Sequence, residues 1–97
     1  MRTGAKAGTR TAVVYLARTG DANSMTGFAV SRAVGGAVVR NRVTRRLRAV
    51  MADELEQLPH GSRVVLRALP AAATASFDEL KADVASGLRR ALAKANA

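Results

Sequence analysis

AVVRNRVTRRLRAVMADELEQL, residues 37–58, carries two patterns at once. Its apolar residues Val43, Leu47, Val50, Met51, Leu55 and Leu58 recur at helical spacing and define one stripe to bury. Arg40, Arg42, Arg45, Arg46 and Arg48 are threaded through that stripe, and no acid stands between Gly27 and Val50. On a wheel of about 100° per residue, Asn41, Arg45 and Arg48 fall roughly opposite the stripe with Arg42 beside them, whereas Arg40 lies nearer the apolar side. The segment predicts a helix with one dry face and one basic face, ended by the breakers Pro59-His60-Gly61.

Working outward, residues 1–10 mix Gly, Thr, Ala and basic side chains without apolar periodicity, so they read as a loose tail or a short edge strand. Residues 11–18 (TAVVYLAR) are rich in β-branched and aromatic side chains and predict a strand covered on both faces. Gly20-Asp21-Ala22-Asn23-Ser24 supplies turn chemistry, and residues 26–31 (TGFAVS) read as the returning strand of an antiparallel hairpin. Gly35-Gly36 breaks the chain before the basic helix. Beyond that helix, residues 62–68 (SRVVLRA) predict a strand and residues 70–75 a loop of small residues. Ser76-Phe77-Asp78-Glu79 has the spacing of a capping box, and Phe77, Leu80, Val84, Leu88 and Leu92 continue a second amphipathic helix, weakened by Gly87. A chain of 97 residues with 48% hydrophobic composition supports one domain, residues 1–97.

The two helices treat charge in opposite ways. The second opens with Asp78 and Glu79 and closes with Arg89, Arg90 and Lys94, the order the helix dipole favours. The first places its arginines in the leading half and Asp53, Glu54 and Glu56 in the trailing half, against the dipole. Exposed charge at the wrong helix end costs about 0.3–1 kcal/mol, so something other than helix stability accounts for that order. A helix N-terminus already attracts anions through its free N–H groups, and arginines around it deepen the same potential. Arginine dominates over lysine, 13 to 3, and its planar fork holds phosphate oxygens in pairs. The net charge of +9 and pI near 11.7 agree with an anionic partner, which the sign alone leaves as RNA, DNA or a membrane surface. No run has the length of a membrane span and no signal sequence opens the chain, so a cytoplasmic location without membrane association is expected. The absence of cysteine excludes disulfides, thiolate metal sites and cysteine nucleophiles.

The block from Gly27 to Arg48, GFAVSRAVGGAVVRNRVTRRLR, with Arg40-Asn41-Arg42 at its heart, closely resembles the signature of the bacterial ribonuclease P protein subunit. With the strand, helix, strand, helix order around it, the resemblance extends over about residues 11–92. It implies an α/β (α+β) two-layer sandwich like the second domain of ribosomal protein S5, with a mixed sheet and a left-handed β-α-β crossover, a handedness opposite to the general expectation. It also implies an auxiliary subunit that binds a large catalytic RNA and helps it remove the 5′ leader of precursor tRNA. By that resemblance Arg40, Asn41, Arg42, Arg45, Arg46 and Arg48 contact the catalytic RNA, and Arg32 extends the surface. Tyr15 matches a position in the sheet cleft that receives the single-stranded leader, where an aromatic ring stacks on a base. Family members commonly begin with a basic helix whose aromatic residues line that cleft. This sequence starts after it, so the first helix of the family is expected to be missing. Ala29, Ala33, Gly36 and Thr44 stand where the family often has serine, lysine, asparagine and lysine.

Protein-borne nuclease chemistry needs a histidine pair, a metal-holding carboxylate cluster or an activated nucleophile. The chain offers a single histidine, His60, in a turn, and Asp53, Glu54 and Glu56 fall around a helix rather than on one face. The expectation is therefore an endoribonuclease subunit with no catalytic residue, metal ligand or bound cofactor of its own. The RNA supplies Mg2+-assisted chemistry; precursor tRNA is the further partner, and no protein partner is implied. A ribosomal or other structural RNA-binding protein is the alternative. A DNA-binding regulator is disfavoured because no short second helix accompanies the arginines, as a helix-turn-helix requires.

Overall fold

The computed structural model describes residues 4–19 and 23–96. Strands β1 (Gly4–Gly8), β2 (Ala12–Arg18) and β3 (Met25–Ala29) precede helix α1 (Ala37–Glu54), and strand β4 (Ser62–Ala68) precedes helix α2 (Phe77–Ala95). Short 3-10 turns at Leu55–Gln57 and Pro70–Ala73 lead out of α1 and into α2. The sheet order is β1-β2-β4-β3, with β3 parallel to β4 and the other pairs antiparallel. The fold is the expected mixed sheet with two helices.

Two expectations about the strands need correction. β2 and β3 form no hairpin, because β4 occupies the slot between them and pairs with both. The direction of the returning strand is as expected, antiparallel to β2, but its neighbour is a strand that comes more than thirty residues later. Gly20, Asp21 and Ala22 of the expected turn lie outside the described residues. The hairpin forms instead between β1 and β2, closed by Thr9, whose backbone N–H and hydroxyl both donate to Ala12 O at 2.9 and 2.7 Å. Residues 4–8 are thus an edge strand rather than part of a loose tail, while residues 1–3 lie outside the described residues. α2 covers the edge: Arg90 and Lys94 donate to the carbonyls of Gly8 and Lys6 at 2.8 and 2.9 Å, occupying acceptors that an open edge would offer to another chain.

The second correction concerns β2, which is covered on one face. Ala12, Val14 and Leu16 are buried while Val13, Tyr15 and Ala17 are half-buried, and β4 alternates in the same way, with Ser62, Val64, Leu66 and Ala68 inside. These inward residues form one core with Val43, Leu47, Val50 and Met51 of α1 and Leu80, Val84, Leu88 and Ala91 of α2. The helical stripes are the expected ones, except that Phe77 is exposed, Leu92 is half-buried, and Leu55 and Leu58 are half-buried where α1 tightens into its 3-10 turn. The buried polar residues Thr11 and Ser62 are paired. Thr11 donates from its N–H and hydroxyl to Asp83 Oδ2 at 3.2 and 2.7 Å, and the Ser62 hydroxyl donates to Pro59 O at 2.6 Å. α2 is fixed at its start by the full capping box between Ser76 and Glu79.

Candidate nucleic-acid interface

α1 begins at Gly36, which supplies no side-chain acceptor to the first turn, and no acid stands in that turn. Its free N–H groups and its arginines therefore add at one place. The turn of residues 32–34 folds back against the helix start at Gly35, where an added Cβ would lie 2.9 Å from Val39 Cβ. Arg32 is exposed on this turn, close in sequence to the helix start. The helix itself sorts its basic residues into two sets. Asn41, Arg45 and Arg48 point to solvent, as the wheel predicts, and Arg48 Cζ sits 5.8 Å from the centroid of the Phe28 ring. Arg40, Arg42 and Arg46 are half-buried. Arg42 donates to Ala73 O at 2.8 Å and Arg46 to Ala75 O at 3.0 Å, so two of the expected RNA ligands are engaged with the protein's own backbone.

A second surface lies on the sheet face turned away from the core, which no helix covers among the described residues. Cross-strand register aligns Lys6, Tyr15, Val65 and Gly27 in one row, flanked by rows through Arg63 and Arg67. An open hollow of about 420 Å³ is lined by Tyr15 with Lys6, Arg63 and Val65. An aromatic ring between cations on a partly apolar floor suits an unstacked base with its flanking phosphates. Tyr15 stands where the leader cleft was expected. Lys6, Arg63 and Arg67 went unassigned, although the alternation of SRVVLRA already places both arginines on the face opposite Val64 and Leu66.

His60 is exposed in its turn, and Asp53, Glu54 and Glu56 remain dispersed around the end of α1. No group of three or more His, Cys, Asp or Glu side chains among the described residues is placed to hold a metal ion. None of the described helices is long and apolar enough to cross a membrane.

Fold and site together define a small α/β domain that offers a polyanion two basic surfaces, one on a helix and one on a sheet. Comparison with known proteins narrows that class: the family model described as Ribonuclease P matches residues 1–92. The chain is 47% identical over 92 residues to the ribonuclease P protein component of Kocuria rhizophila, covering 95% of this chain and 81% of that protein. It is 51% identical over 85 residues to that of Acidothermus cellulolyticus, covering 86% and 71%. Its backbone superposes on the ribonuclease P protein of Staphylococcus aureus with a TM-score of 0.80 at 21% identity, over 91% of this chain and 81% of that one. For the Thermotoga maritima protein the TM-score is 0.75 at 20% identity, over 92% and 82%. The chain belongs to the ribonuclease P protein family, and its function is that of a protein subunit of ribonuclease P.

Proposed function

We propose that the leading half of α1 anchors the catalytic RNA of ribonuclease P and that the open sheet face guides the 5′ leader of precursor tRNA, so that the protein promotes endonucleolytic removal of the leader. Arg32, Asn41, Arg45 and Arg48 form the contact surface, while Arg40, Arg42 and Arg46 stand half-buried beside it. The observation that carries this reading is the single-signed, outward-facing basic stripe of α1 at an uncapped helix N-terminus, an arrangement unfavourable for the helix alone. On the opposite side of the sheet, the Tyr15 hollow offers a separate place for single-stranded RNA.

The bond-breaking chemistry is assigned to the RNA. His60 is a single exposed histidine in a turn, and no group of three or more His, Cys, Asp or Glu among the described residues is placed to hold a metal. Mg2+ is assigned to the RNA subunit together with that chemistry. The protein's part is electrostatic, offsetting repulsion between two polyanions and holding the leader in register. We propose a cytoplasmic location as well, with precursor tRNA as the further partner. Reconstitution with the cognate catalytic RNA tests the reading: precursor tRNA cleavage at low magnesium should rise sharply on adding the protein. No stimulation at any protein concentration would refute it.

A further inference from the structure

None of residues 37–42 is fully buried, and within the helix ahead of Val43 only the half-buried Val39 packs against the core, so the leading turns of α1 are lightly anchored by apolar contact. A pair of guanidinium groups one turn apart adds to the hold of the apolar stripe on this half of the helix. Arg42 Nη2 donates to Ala73 O at 2.8 Å and Arg46 Nη1 donates to Ala75 O at 3.0 Å, bridging α1 to the segment that leads into α2. Two attachment points separated by about 6 Å along the axis fix the helix direction and its rotation, which one point does not. Charge-assisted bonds of this kind are roughly twice as strong as neutral ones. Arg42 is further withdrawn from a ligand: its Nε is buried without a partner. The Nε–Nη2 edge is one of the two forks a guanidinium can offer phosphate, and here one nitrogen is shut away and the other committed.

We infer that Arg42 and Arg46 are positioning residues, a two-point clamp that aims Asn41, Arg45 and Arg48 at the RNA without touching it. The inference rests on the reading of α1 as the RNA-binding element, and it divides an arginine block that the sequence presents as uniform. The test titrates in vitro transcribed ribonuclease P RNA against the full chain over a salt series. R42M and R46M should each lower affinity about tenfold at every salt concentration, the scale of losing one preorganised contact, and leave the log–log salt slope unchanged. R45A should lower affinity and also flatten the slope by about 0.7–0.9, one phosphate's worth of counterion release. A slope flattened equally by R42M or R46M would mean direct phosphate contact, and undiminished affinity in a folded variant would mean a purely stabilising role. Either result overturns the assignment.

Amide exchange in the free protein reads the clamp without RNA. Exchange at residues 72–75 should quicken in R42M and R46M but not in R45A, and equal rates overturn the proposal. If R42M does not fold, R46M carries both comparisons. If R45A and R48A also leave the slope unchanged, it is the RNA-binding reading of α1 that fails, while amide exchange still decides the clamp.

Discussion

Gly87 marks a close approach of α2 to β2. A Cβ built there would lie 2.6 Å from Val14 Cγ2 and 3.3 Å from Val14 Cβ. As a helix-interior glycine it costs about 1 kcal/mol relative to alanine, so a reading of propensity alone marks it for improvement. Packing reverses the sign. Gly87→Ala is expected to destabilise by about 1–3 kcal/mol through overpacking, less the propensity gain, and to lower the urea midpoint. An unchanged or raised midpoint would show that β2 and α2 separate without cost. The arginines of α1 divide along the same line. The outward direction of Asn41, Arg45 and Arg48 was legible, since it depends on a rotation of about 100° per residue counted from neighbours in the chain. The partners of Arg42 and Arg46 were not, because Ala73 and Ala75 stand 31 and 29 positions away and present only backbone oxygens, which any residue could supply.

α2 is stable by local means, and its start can be tested by itself. Ser76 N–H donates to Glu79 Oε1 at 2.8 Å and Glu79 N–H to Ser76 Oγ at 3.0 Å. The backbone bond from Ser76, then the bond with its side chain, holds the Glu79 carboxyl below the ordinary glutamate range, with Arg10 adding a smaller share. A carboxyl lowered in the folded state contributes stability that is present above its unfolded pKa and is lost as pH falls through the folded one. Ser76→Ala should therefore cost about 1 kcal/mol at neutral pH, read by thermal unfolding. Glu79→Gln, which keeps the box geometry but not the charge, should lose its deficit against wild type as the solution is acidified. A deficit that persists at low pH would assign the effect to shape rather than charge. The capping box, the two apolar stripes and β4 were all legible because each is written within a few adjacent residues. The pairing of β3 was not: turn signals after β2 predict reversal of direction equally well whether the next strand lands beside it or one slot away.

At the scale of the molecule, one layer of helices leaves one sheet face open among the described residues, and the two basic surfaces lie on opposite sides of the sheet. A protein of this shape can hold two RNA segments apart, which suits the proposed place between the ribonuclease P RNA and precursor tRNA. Tyr15→Ala in the reconstituted enzyme should weaken precursor tRNA binding by the worth of one stacked base, about 1–3 kcal/mol, and leave mature tRNA binding unaltered. Equal losses for both tRNAs would remove the leader from the sheet face. By itself, the sequence determined the helix spans, their dry and basic faces, the capping of α2, the positive sign of the partner surface and, through the block around Arg40-Asn41-Arg42, the family. All of these rest on residues a few positions apart. Only the tertiary structure decided that β4 separates β2 from β3, that Lys6 and Arg63 line one hollow with Tyr15, and that Arg42 and Arg46 turn inward to the backbone. Those facts depend on which distant segments become neighbours, and that is settled by burial of the two helical stripes on one sheet face, an outcome that the periodicity of no single segment encodes.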